Sequence, residues 1–327
     1  MEKRLREWAN SRGYRLVWFG TLLLTRALEE IRRLKREGSL DGGFFDQSLS
    51  WLEKPEISAQ TGSKAIILAA IPCPAHCVSF ERIGQSHDLI LPPTYHNYVG
   101  LFEEVRKDLE EELERPGSLT ILQGPLKTLA VWSGLARYGR NNITYVDGLG
   151  SYLQLVGLAA DFPLDDSGTS GVGGPRALDE CETCRACRTA CPTGAISEER
   201  FLLRAERCLT LFSENEGPLP ESYADLKRRC LVGCLVCQEV CPANRGRLPV
   251  VSLGVCFSDE ETAFILGEGS RAEAPPGLEE KVRSLKSGDF ETTGGVPNPT
   301  FRRNLAAVLG PPASRRTGCK PRPVGVK

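Results

Sequence analysis

Two cysteine runs constrain this chain more than anything else in it. The first reads Cys181-x2-Cys184-x2-Cys187-x3-Cys191 followed by Pro192, and the second ends in Cys234, Cys237 and Cys241 followed by Pro242. Cysteines three apart let a tight loop offer three corners of one cubane. The fourth leaves on a helix toward a second cubane, the spacing of bacterial ferredoxin-type [4Fe–4S] ligation, and the proline behind it turns the chain away. On this logic one cluster takes Cys181, Cys184, Cys187 and Cys241. The other takes Cys191, Cys234, Cys237 and one more thiolate. Cys230, four before Cys234, and Cys208, in the intervening segment, compete for that place, and spacing alone leans slightly to Cys230. Structural zinc is the rival reading, but zinc sites use two separated pairs rather than a triple with a trailing Cys-Pro.

Thirteen cysteines in 327 residues would suit a secreted disulfide framework only with an export signal. Met1–Asn10 is charged, the apolar stretch Leu16–Leu24 is too short to span a bilayer, and no twin-arginine leader is recognisable. The expectation is metal ligation in a reducing cytoplasm, with no membrane association. Cys73, Cys77, Cys256 and Cys319 then read as plain thiols, although Cys73 and Cys77 bracket His76 in IPCPAHC. Net charge is −1 and the pI about 6.4, so no global field draws the chain to nucleic acid or acidic lipid. Arg302, Arg303, Arg315, Arg316, Lys320, Arg322 and Lys327 read as a solvated, partly disordered basic tail in preference to an RNA contact.

Helix and strand signals alternate over residues 1–160. Residues 2–11 read as helix and Tyr14–Phe19 as strand. A helix follows with Leu24, Leu28, Ile31 and Leu34 on one face and Gly38 as its stop. Lys64–Ile71 reads as a buried strand, Val78–Leu91 as a hairpin or long excursion, and Tyr95–Glu114 as a helix facing Phe102, Val105, Leu109 and Leu113 inward. Leu119–Leu122, Ile143–Val146 and Tyr152–Ala159 are strand candidates, and Leu126–Leu135 a helix. This alternation predicts an α/β (α+β) sheet domain. Residues 161–174 read as a linker, 175–246 as a ferredoxin-like double-cluster module, and 247–327 as a C-terminal extension with a strand at Leu248–Phe257 and a helix at Leu278–Leu285.

Around the cysteine runs stand GPLKTLAVWSGLARYGRNN (Gly124–Asn142), GLGSYLQL (Gly148–Leu155), Arg207-Cys208 and GCLVCQEVCPANR (Gly233–Arg245), with a weaker match at FRRNLAAVLG (Phe301–Gly310). In this order they resemble the epoxyqueuosine reductase family, whose wider relatives include the reductive dehalogenases. The resemblance covers roughly residues 60–245. It implies a corrinoid domain related in fold to flavin nitroreductases, joined to a double [4Fe–4S] module that reduces base-off cobalamin to Co(I). It favours Cys208 over Cys230, and it implies a corrinoid against Tyr95, His96, Gly139, Arg140, Asn141, Gly150 and Ser151. Each of these also has a bland reading as a turn, a strand start or a helix N-terminus.

One departure matters. The family carries an acid in V-D-T-G-P, and here Ile121–Pro125 reads ILQGP, with Leu122 in the acid's place. Leucine cannot donate a proton, so either the acid has moved or the substrate differs. Tyr95, His96, Tyr138 and Asp147 are the nearest candidates for a relocated acid. The resulting expectation is a cytoplasmic cobalamin-dependent iron–sulfur reductase acting on something other than queuosine tRNA. A ferredoxin or flavodoxin would supply its electrons, and a small molecule or a corrinoid protein would receive them. The rivals are a true epoxyqueuosine reductase, a reductive dehalogenase, and a non-enzymatic electron carrier that activates a corrinoid protein.

Overall fold

Strands buried on both faces read as unbroken apolar runs, and two such runs make the centre of this molecule. The computed structural model describes residues 1–54, 56, 59–165, 177–199, 201–221, 229–247, 249–268, 273–288, 292–293 and 296–310. In chain order its principal strands are β1 (Arg15–Phe19), β2 (Ala65–Pro72), β3 (Ala75–Arg82), β4 (Gln85–Leu91), β5 (Leu119–Ile121), β6 (Arg137–Tyr138), β7 (Thr144–Tyr145), β8 (Leu153–Ala160) and β9 (Val250–Phe257). The order β1-β2-β8-β5 forms one antiparallel sheet, with β2 and β8 in register from Ala65↔Ala160 to Pro72↔Leu153.

Helices cover both faces of this sheet. On one face α1 (Glu2–Ser11) and α3 (Tyr98–Leu113) contribute Leu5, Trp8, Phe102 and Leu109 to a core with Ile67 and Val156. On the other, α2 (Leu22–Arg36) and α4 (Leu126–Trp132) contribute Leu24, Leu28 and Leu129 against Ile66, Leu68 and Leu155. Burying each such side chain stabilises the fold by about 1.5–3 kcal/mol.

The segment expected as a hairpin or long excursion is the hairpin β3–β4, and it is not left alone. Strand β9, some 170 residues later, pairs in parallel with β3 (Ala75↔Val250 to Phe80↔Phe257). A third core lies behind this second sheet. Phe80 stacks on Phe257 with ring centroids 4.7 Å apart and takes the edge of Phe301 at 6.3 Å. Three further helices supply the rest of it: α8 (Asp259–Leu266), α9 (Leu278–Ser284) and α10 (Pro299–Leu309). The residues after 247 thus return to close a sheet begun at residue 75.

Three sequence expectations change. The helix expected from Tyr95 starts at Tyr98, because Pro93–Tyr95 forms a 3-10 turn and Asn97 adopts a left-handed conformation (φ 54°). The strand expected at Ile143–Val146 shrinks to the two-residue β7, paired with β6. Arg302 and Arg303 belong to no tail. They sit in α10, whose apolar side (Phe301, Leu305) is fully buried. Arg315, Arg316, Lys320, Arg322 and Lys327, and most of the expected linker, lie outside the described residues.

Candidate iron–sulfur centres

The cysteines fall into two sets, and the sets cross the two runs. Cys181, Cys184, Cys187 and Cys241 line one cavity together with Gly139, Arg140 and Asn141. Cys187 sits in the short helix α5 (Ala186–Ala190), and Cys241 follows α7 (Val236–Glu239) by two residues. The Arg140 backbone N–H lies 3.4 Å from Cys181 Sγ, and its guanidinium donates to the Cys181 carbonyl at 2.5 Å. Burial first, and then the charges of Cys181 and Cys241, push the Cys187 thiol up to about 11. Such thiols become thiolates only when a cation offsets their charge, as iron in a cluster does.

The second set is Cys191, Cys208, Cys234 and Cys237. Burial pushes Cys234 up to about 11, and Cys208 and Cys191 add to the shift. Burial also raises Cys237, which feels Cys234 and Cys208, and raises Cys208, which feels Cys191. Cys208 stands at the N-cap position of helix α6 (Leu209–Glu214). Cys230 is placed differently. It forms a bridge with Ile90 at the edge of the second sheet and packs on a small apolar cluster of Ala75, Ile90, Tyr152 and Leu235. Burial first, then Cys234, pushes it up to about 12. Of the two competitors, Cys208 is the one grouped with Cys191. Among the described residues no three His, Cys, Asp or Glu side chains converge as one metal ion would require.

The residues expected at a corrinoid hold the seam between sheet domain and cluster module instead. A Cβ on Gly139 would lie 2.6 Å from the Tyr145 ring, so glycine lets that ring approach. Tyr145, which the sequence reading missed, hydrogen-bonds Cys241 and accepts from Asn141 Nδ2 at 3.1 Å. Asn141 also reaches the Cys237 carbonyl at 3.3 Å. Gly150 (φ 68°) has Asn244 Oδ1 where its Cβ would be. The Ser151 N–H donates to Asn244 Oδ1 at 2.9 Å, and its hydroxyl donates to Gln238 Oε1 at 2.8 Å while accepting from Asn244 Nδ2 at 2.7 Å. Asn244 is the buried asparagine of CPANR. Gly139, Asn141, Gly150 and Ser151 are thus engaged with residues around the cysteine runs.

The candidate acids also separate. Asp147 is solvent-exposed and paired with Arg137 at 3.1 Å. Tyr138 OH lies 3.4 Å from Thr128 Oγ1, and its ring meets Phe201 edge-on. His96 Nδ1 lies 2.8 Å from the Leu285 carbonyl, and its ring centroid is 4.2 Å from that of His76. Tyr95 alone of the four adjoins the second thiol set. Its hydroxyl donates to Glu214, and its ring fills the space where a Gly233 side chain would stand, next to Cys234. Leu122 is 1% exposed and packed in the sheet core against Gly157 and Leu126. Lys127, one residue into α4, was not singled out from the sequence. Its side chain is open to solvent, yet surrounding protein lowers its pKa, with Glu214, Cys208 and Cys237 in electrostatic reach.

Residues 180–244 match the 4Fe-4S double cluster binding domain, so the chain carries a two-cluster iron–sulfur module. The relatives narrow this further: the chain is similar to curated epoxyqueuosine reductases. It is 33% identical to one from Aliivibrio fischeri over 159 residues (46% of this chain, 40% of that one). It is 23% identical to one from Bacillus subtilis over 257 residues (76% of this chain, 64% of that one). The chain thus matches under two thirds of the length of these curated relatives. Its mixed α/β fold is that of solved epoxyqueuosine reductases. One holding an epoxyqueuosine-modified tRNA-Tyr stem loop superposes with TM-score 0.62 at 18% identity, and one from Streptococcus thermophilus with 0.59 at 16%, each over 94% of this chain and 80% of the other.

Proposed function

We propose that this chain is an iron–sulfur reductase that takes single electrons from a ferredoxin or flavodoxin, passes them through two [4Fe–4S] clusters, and delivers them to a substrate other than epoxyqueuosine in tRNA. The observation that carries this reading is the crossed grouping of thiols: Cys241 with the first run, Cys191 with the second. That arrangement holds two clusters side by side, and Cys237, in the second set, already feels the charge of Cys187 in the first. The choice of substrate rests on Leu122, which is locked in the apolar core and leaves the family's acid position without a proton. Tyr95, bonded to Glu214 with Lys127 nearby, takes over proton delivery. Cobalamin as the acceptor is proposed on the family resemblance alone, and cytoplasmic residence likewise. Among the described residues no helix is long and apolar enough to cross a membrane.

A second reading, epoxyqueuosine reduction in tRNA with Tyr95 as the relocated acid, is favoured by the neighbour that holds a modified tRNA stem loop. One anaerobic preparation tests both. It should contain about eight irons per chain and shift added cob(II)alamin to a base-off EPR spectrum. It should also leave an epoxyqueuosine-modified stem loop unreduced. Turnover of the stem loop overturns the substrate assignment, an unchanged cobalamin spectrum removes the corrinoid, and a colourless zinc-bound protein removes the reductase.

A further inference from the structure

Helix α6 has six residues, and a helix this short does not hold itself together in water. Its first residue follows Cys208, and its C-terminal carbonyls have no partner within the helix. Those carbonyls are gathered by one side chain from the far end of the chain. Arg303 Nη1 donates to the carbonyls of Asn215 (2.7 Å) and Gly217 (2.6 Å), and Nη2 to those of Phe212 (2.7 Å) and Ser213 (3.3 Å). Asn304 orients the guanidinium by accepting from Nη2 at 2.8 Å, and its own Nδ2 donates to the Ser213 carbonyl at 2.8 Å. Asn304 is 1% exposed, and α10 is fixed to the third core by Phe301 and Leu305 at 0%.

The other end of this network reaches the second cysteine run. Ser213 Oγ accepts the backbone N–H of Gly233 at 2.7 Å, one residue before Cys234. Gly233 itself (φ 71°) is closed in by the Tyr95 ring. One short helix thus carries Cys208 at its start and fixes the approach of Cys234 near its end, and α10 determines where that helix lies.

We propose that Arg303 and Asn304 are positioning residues for the second cluster, bracing α6 so that Cys208 and Cys234 meet at one cubane. The proposal rests on the two-cluster reading above. Nothing comparable joins α10 to Cys181, Cys184 or Cys187 among the contacts of the described residues, so losing the brace harms one cluster and spares the other. General destabilisation would weaken both. A lysine at 303 supplies one compact ammonium where arginine supplies a planar fork, and it restores the brace only in part.

The test is anaerobic reconstitution of wild type, Arg303→Leu and Arg303→Lys with ferrous iron and sulfide, read by iron content and by EPR of the reduced protein. Wild type should hold about eight irons and show two cluster signals. Arg303→Leu should hold about four, lose the signal that Cys208→Ser also loses by at least about fivefold, and keep the other. Arg303→Lys should fall between. Should Arg303→Leu fail to fold, Asn304→Ala is read in its place against the same two signals. About eight irons and two unchanged signals in the folded variant overturn the brace and leave the clusters standing. A wild type without two clusters overturns the two-cluster reading and the brace with it.

Discussion

Replacing Cys241 by serine should destroy the cluster of the first run, although Cys241 belongs to the second. The magnitude follows from the grouping. Cys241 lines the same cavity as Cys181, Cys184 and Cys187, while Cys191 lies with Cys208, Cys234 and Cys237. With four irons per cubane, Cys241→Ser drops the content from about eight to about four. Either ligation scheme gives that loss, so double variants decide. Cys181→Ser with Cys241→Ser removes two ligands of one cluster and should still retain about four irons. Cys234→Ser with Cys241→Ser removes one ligand from each and should retain nearly none. Iron and sulfide analysis of anaerobic protein, with absorbance near roughly 400 nm for the cluster chromophore, measures both. The reverse pattern, with about four irons surviving in Cys234→Ser/Cys241→Ser, would show that each run binds its own cluster and would refute the crossed reading.

Other perturbations have equally definite outcomes. Gly233→Ala forces a Cβ to 2.7 Å from the Tyr95 ring at a left-handed position. It should cost about 1–3 kcal/mol in urea unfolding and weaken the second cluster's EPR signal, and an unchanged signal contradicts the packing. Tyr95→Phe keeps that packing and removes the hydroxyl that meets Glu214. Once a substrate is found it should lower kcat by about 10²–10⁴ with iron content unchanged, and full turnover excludes Tyr95 as acid. Leu122→Asp buries a carboxylate at a site 1% exposed. It should destabilise by at least about 3 kcal/mol, and it should confer no reduction of epoxyqueuosine; a stable, active variant would show that the residue faces the site after all. Burial first, and then His96, hold the His76 imidazole at about 4 against an ordinary 6.5. The unfolded chain takes that proton first, so His76 lowers stability as pH falls from about 6.5 to about 4. His76→Asn should flatten the urea midpoint across that window, and a slope equal to wild type rules the contribution out.

Much of this was legible in the cysteine spacing and the apolar runs. The x2-x2-x3 spacing named the ligand type because a cubane accepts few loop geometries. Lys64–Ile71 read as a buried strand and Tyr152–Ala159 as a strand candidate because strands buried on both faces are strongly apolar. What stayed hidden depends on distance along the chain. Spacing leaned to Cys230 because it counts only neighbours, and the family resemblance chose Cys208; the fold sets Cys230 beside Ile90, while Cys208 feels the charge of Cys191. The motif Gly139–Asn141 drew attention as a ligand site, yet its glycine serves the Tyr145 ring. Lys127, inside the quoted GPLKTLAVW segment, and Tyr145, inside the Ile143–Val146 strand candidate, were not picked out as individual residues.

By itself, then, the sequence determined that thiolates in two runs would hold paired clusters beside an α/β sheet, since both follow from local spacing and pattern. Only the tertiary structure decided that β9 returns to pair with β3, that Leu122 lies in the core, and that Arg303 sits within a helix against distant carbonyls rather than in a basic tail. Those answers require residues far apart in the chain to meet, as Ala75 meets Val250 and Phe80 meets Phe301. Such meetings are set by how sheets and cores pack, which no local pattern records.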